Sequence, residues 1–152
     1  MKTALLLLLI AAVAEAQDPR FLNPPSLPPT TGYTHVVEVP AGHRLVFLSG
    51  QIALDSTGAV RGGADFRSQA TQVFENLRGG LAAVGADFGD VVKLNFYILD
   101  VRKIPVLRQV RDRYVNLAAP PASTLVQVSR LPRDDLLLEV EAIAAVREEA
   151  GR

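Results

Sequence analysis

The chain has 152 residues, no cysteine, and 16 basic residues (Lys plus Arg) against 16 acidic ones (Asp plus Glu). Without cysteine there is no disulfide and no thiolate-held metal. The balanced charge leaves no net field to gather nucleic acid or an anionic membrane, and the length suits one domain with its own core.

Met1-Lys2 opens the chain, an apolar run follows from Ala4 to Val13, and Ala14-Glu15-Ala16 precedes Gln17. A basic start, a short apolar stretch and a small-x-small site predict a secretory signal peptide over residues 1–16. The run is about half the ~20 residues a membrane span needs. The expected product is secreted or periplasmic, with no membrane attachment once the signal is removed.

Residues 17–32 carry Pro19, Pro24, Pro25, Pro28 and Pro29, so an extended arm without regular structure is predicted. Thr34–Val39 reads as a strand, Pro40-Ala41-Gly42-His43 as a turn, and Leu45–Ala53 as the partner strand. Asp65 is an N-cap for a helix whose apolar residues Ala70, Val73, Phe74, Leu77, Leu81 and Val84 recur at helical spacing. Gly85 stands where a left-handed cap belongs, and the internal Gly79-Gly80 pair implies close packing on a neighbour. Val91–Leu99 reads as an internal strand apolar on both faces. A second helix is expected over Arg102–Tyr114, with Pro105 in its first turn and Ile104, Leu107, Val110 and Tyr114 as its buried stripe. Arg111 and Arg113 read as a charged, solvated face.

Two strands close the domain, around Pro121-Ala122-Ser123-Thr124-Leu125-Val126 and Glu139-Val140-Glu141-Ala142-Ile143-Ala144. Alternation puts Glu139 and Glu141 on one face, opposite Leu138, Val140, Ala142 and Ala144. A carboxylate partly withdrawn from water is a ready general base. The order ββαβαββ contains β-α-β crossovers, which place both helices on one face of the sheet. The other face, apolar in part, then calls for a second subunit.

The closing motif resembles that of the Rid family (reactive intermediate deaminases, also called YjgF-like proteins), which reads P-A-R-[ST]-x-V-x-V, then L, then E-[IV]-E-A-I-A. Gly32-Tyr33, Phe47-Leu48-Ser49-Gly50-Gln51 and Asp90-Val91-Val92-Lys93 match further family motifs in order, from about Asn23 to Val146. The resemblance implies an α+β, chorismate-mutase-like fold, two helices on one face of a mixed sheet, assembled as a homotrimer with sites in clefts between subunits. The domain is expected over 33–147, with 148–152 as a C-terminal tail.

The resemblance also implies roles. The first Glu of the motif, here Glu139, helps activate the water that attacks a carbon–nitrogen double bond, while Glu141 is the more structural acid. Tyr33 corresponds to a ligand-contacting Tyr, or packs the arm onto the domain. Ser49 and Gly50 match a Ser-Gly where the missing side chain lets a ligand approach the backbone. The departure is Ser123, which replaces the Arg that grips the carboxylate of 2-aminoacrylate-type substrates. Leu125 stands where some members have Cys, and Arg108 where deaminases of the family tend to carry Asn. Arg108 is thus a candidate replacement cation or an ordinary solvated Arg.

His35 and His43 have no third ligand at a recognisable spacing, so no metal site is predicted, and no phosphate loop or nucleophile elbow occurs. No basic stripe or aromatic run suited to RNA is present. The expected activity is hydrolysis of a small enamine or imine, other than 2-aminoacrylate, to a carbonyl compound and ammonia, without a cofactor. The alternative is a non-catalytic trimer of the same fold that binds a small molecule.

Overall fold

The computed structural model describes residues 17–148, so the expected signal peptide and most of the expected tail lie outside the described residues. Among the described residues the elements are β1 (Arg20–Leu22), β2 (Val36–Glu38), β3 (His43–Gln51), α1 (Phe66–Ala82), β4 (Val91–Ile98), α2 (Ile104–Arg111), β5 (Ala122–Gln127) and β6 (Leu138–Arg147). From β2 onward this is the expected ββαβαββ order. A four-stranded mixed sheet runs β3-β6-β4-β5, with β4 and β5 parallel and β6 antiparallel to both its neighbours.

Both helices cover one face, because that is where the apolar residues of the strands fall. Phe74, Leu77 and Leu81 of α1 and Leu107 and Val110 of α2 are buried in one cluster with Leu94, Phe96 and Ile98 of β4 and Leu138, Val140 and Ala142 of β6. Asp65 caps α1 by accepting from the Ser68 amide at 2.8 Å. The helix ends in a Schellman turn, with Ala86 N–H donating to Leu81 O at 3.0 Å and Gly85 at φ +70°. Gly80 is the close approach expected of the glycine pair: a Cβ there would stand 3.1 Å from Leu48 Cδ2, whereas one at Gly79 would meet nothing. The buried Gln69 donates from Nε2 to Asp135 O and accepts from Leu137 N–H at Oε1, which fixes the entry to β6 and hence the start of the acidic strand.

Several local expectations are corrected. The proline-rich arm is not without regular structure: Arg20-Phe21-Leu22, the stretch free of proline between Pro19 and Pro24, forms β1. Its antiparallel partner is β2, so β2 does not form a hairpin with β3, whose partner is β6. Three residues are too few for periodicity to reveal. The second helix is shorter than expected, because Asp100 caps a 3₁₀ turn over Val101–Lys103 before α2 begins at Ile104. β4 is apolar on one face only; Lys93, Asn95 and Tyr97 are half-exposed on the other. No helix among the described residues is long and apolar enough to cross a membrane.

Candidate functional site

Strand register divides the candidate residues between the two faces of the sheet. On the face without helices, Tyr97 lies beside Glu139 and Asn95 beside Glu141. Glu141 is tied down: its Oε2 accepts from Tyr97 Oη at 3.1 Å and Asn95 Nδ2 at 3.2 Å. The Tyr97 phenol is held above its ordinary pKa, first by that hydrogen bond and then by burial. Glu139 is half-buried and has no hydrogen-bond partner among the described residues. Burial, and after it the Glu141 charge, raises its pKa above the usual carboxylate value. A carboxylate that is partly withdrawn from water, unpartnered among the described residues and more basic than usual suits the abstraction of a proton from water.

Ser49 and Gly50 sit beside this acid, in an irregularity of the β3–β6 pairing. Leu48 pairs with Ala142 and Gln51 with Val140, so Ser49 and Gly50 together oppose Glu141, a β-bulge. A Cβ at Gly50 would overlap Glu139 Oε1 and stand 2.7 Å from its Cδ. Glycine is required here by that approach, since its φ is not in the left-handed region. Glu139, Glu141 and Tyr97 line an open cleft of about 460 Å³ with Arg130, Leu131 and Pro132. The same face exposes Phe47 (72%) and Leu45 (51%).

Ser123 and Leu125 face the other way. They pair with the core residues Leu94 and Phe96 and lie under α2, lining a cavity of about 280 Å³. Tyr33 reaches this cavity from the loop that joins the edge of β5, where Thr34 bridges Ala122. The Tyr33 ring packs edge-on to His35, with ring centroids 5.4 Å apart, while lining the cavity. Arg108 lines the same cavity, exposed and without an ion pair among the described residues.

Arg111 corrects the reading of a solvated helix face. It is 8% exposed and lines the cavity with Arg108. Its Nε and Nη2 both donate to Asp112 Oδ1, at 2.9 and 2.6 Å. The sequence carried a signal for this: Arg111 lies four residues after Leu107 and so falls on the helix's buried stripe. Asn95 and Tyr97, which orient Glu141, were hidden by reading β4 as apolar throughout. Among the described residues no group of three or more His, Asp or Glu is placed to hold a metal.

One chain therefore holds Glu139, Ser49 and Gly50 together on the bare face, and Tyr33, Arg108, Ser123 and Leu125 together under α2. It does not bring the two groups into one cleft.

Comparison with known proteins agrees with the fold. Residues 25–146 match the family model described as Endoribonuclease L-PSP. Protein DfrA of Myxococcus xanthus is 38% identical over 133 residues, covering 88% of this chain and 93% of that protein. TdcF of Escherichia coli K12, named as a reactive intermediate deaminase, is 36% identical over 103 residues, 66% of this chain and 78% of that one. Among solved structures, YyfB of Yersinia pestis, described as a Rid-family protein, superposes with a TM-score of 0.77 at 30% identity, covering 86% of this chain and all (100%) of that one. The chain belongs to the Rid (YjgF-like) family.

Proposed function

We propose that this member of the Rid family is an exported enzyme that hydrolyses a small enamine or imine to a carbonyl compound and ammonia. The observation that carries the reading is Glu139: half-buried, without a hydrogen-bond partner, shifted towards higher pKa, and placed against a glycine that leaves room beside it. An imine carbon is already electrophilic, so one positioned base and one anchor suffice. Glu139 takes a proton from water as the water oxygen bonds to the imine carbon, and passes that proton to the nitrogen. The resulting carbinolamine then collapses: Glu139 takes the hydroxyl proton as the carbonyl forms and delivers it to the nitrogen, the carbon–nitrogen bond breaks, and ammonia leaves. An enamine enters the same route after tautomerising to the imine.

The site is completed by assembly. Exposed Phe47 and Leu45 on the face bare of helices, together with half-exposed Ile143, favour a homotrimer in which that face packs on neighbouring subunits. Such packing lets Glu139, Ser49 and Gly50 of one subunit face Tyr33, Ser123 and Leu125 of the next. Ser123 in place of the family's Arg takes the carboxylate anchor off β5, so the preferred substrate differs from 2-aminoacrylate in how its far end is held. The leader motif of residues 1–16 supports export to the periplasm or beyond. No cofactor is needed for this chemistry.

The test is ammonia release from imines generated in situ, acidic and neutral, by the wild type and by Glu139→Gln. Release above the buffer rate that falls to background in the Gln variant supports the reading. Buffer-rate release from every imine by the wild type would favour a trimer that binds a small molecule without turning it over.

A further inference from the structure

We infer that the cavity under α2 binds the carboxylate of a small monoanionic acid through Arg111, so that the acid end of the substrate lies against the helix rather than against β5. The inference deepens the proposed function, and rests on it for taking this cavity as part of the substrate cleft. Three observations carry it. First, Arg111, only 8% exposed, lies in the cavity wall. Asp112 holds its Nε and Nη2, and Nη1 has no partner among the described residues. Second, the loop before Tyr33 is shaped around it. Gly32 adopts φ +76°, and a Cβ there would overlap Arg111 Nη2 and stand 3.3 Å from Cζ. Third, among the described residues no Asp or Glu lines the cavity, while Arg108, on the same side of α2, does.

These features select the ligand. Asp112 offsets one of the two positive charges, so the cavity suits one negative charge better than two, a carboxylate rather than a phosphate. Phe96, Ile104 and Leu125 offer apolar wall for a short carbon chain, and the volume is near the ~300 Å³ lower end of small-molecule sites. Arg is the residue whose planar donors match a carboxylate, and Ser123 across the cavity has a neutral hydroxyl free to assist. The cation that the family places on β5 is thereby supplied from α2.

The test uses the purified full chain and two probes of similar shape, pyruvate and uncharged pyruvamide, titrated by calorimetry. The wild type is expected to prefer pyruvate by about 10-fold or more, as charge-assisted hydrogen bonds do, and Arg111→Met to lose that preference. Asp112→Asn, at an exposed position, removes the competing counter-charge and is expected to tighten pyruvate several-fold without changing pyruvamide. A purely structural Arg111 would not produce that gain. Equal Kd values for the two probes in the wild type, or no gain in Asp112→Asn, would overturn the inference, and this holds even if Arg111→Met does not fold. The two readings fail separately. Pyruvate preference without ammonia release sinks the reaction and leaves the anion site. Ammonia release from neutral imines without pyruvate preference does the reverse.

Discussion

Replacing Gly50 with Ala should disable Glu139 while leaving the protein folded. The added methyl would stand 2.7 Å from Glu139 Cδ and 2.9 Å from Cγ. Carbon atoms settle at about 3.5–4.0 Å, so the carboxyl group must retreat by ~1 Å. Nothing among the described residues ties that carboxyl down, and Gly50 does not need a positive φ. The cost in stability is therefore that of mild overpacking, about 1–3 kcal/mol. The cost in rate is larger, because a misplacement of about 1 Å at a reacting group lowers turnover by ~100-fold. Thermal unfolding and ammonia release on the same preparation separate the two. Full turnover by Gly50→Ala would refute the view that Glu139 acts from the position it holds here.

The elevated pKa of Glu139 makes a signed prediction: a group raised in the folded state adds stability below its unfolded pKa and loses it as pH rises through the folded value. Glu139→Gln should therefore raise Tm at pH 7 but not at pH 4, and a lower Tm at pH 7 would contradict the burial that raises the pKa. As a base Glu139 must be ionised, so turnover should fall on acidification at a pH above the ordinary carboxyl range, read from a pH–rate profile. Ser123→Arg would put a third guanidinium beside Arg108 and Arg111. It should lower stability by roughly 1–3 kcal/mol in empty protein and regain most of that when pyruvate is added, seen as a larger ligand-induced Tm shift. Phe47→Asp places a charge on the most exposed aromatic of the bare sheet face, through which we propose the trimer assembles; light scattering should read a trimer for the wild type and a monomer for the variant.

Local chemistry was legible in the sequence where one residue settles it. Asp65 caps α1 and Gly85 ends it, and the alternation in β6 puts Glu139 and Glu141 on one face. Features that depend on pairing were not. Ser123 and Glu139 belong to neighbouring motifs, yet Ser123 pairs with Leu94 and Leu94 with Ala142, which has the parity opposite to Glu139. Only the register reveals that the two lie on opposite faces. β1 escaped because three residues between prolines carry no period. Arg111 escaped because charge was weighed above position, although its spacing from Leu107 is that of the buried stripe.

That division of the site is tested most directly by complementation between two inactive variants. Glu139→Gln lacks the base, and Ser123→Phe fills the cavity under α2. The two are co-refolded in equal amounts and assayed for ammonia release. If each cleft takes Glu139 from one subunit and the cavity from its neighbour, random trimers restore about a quarter of wild-type activity, because half of each component is intact at every cleft. If both groups act from a single chain, every cleft carries one lesion and the mixture stays at background, which would contradict a site shared between subunits.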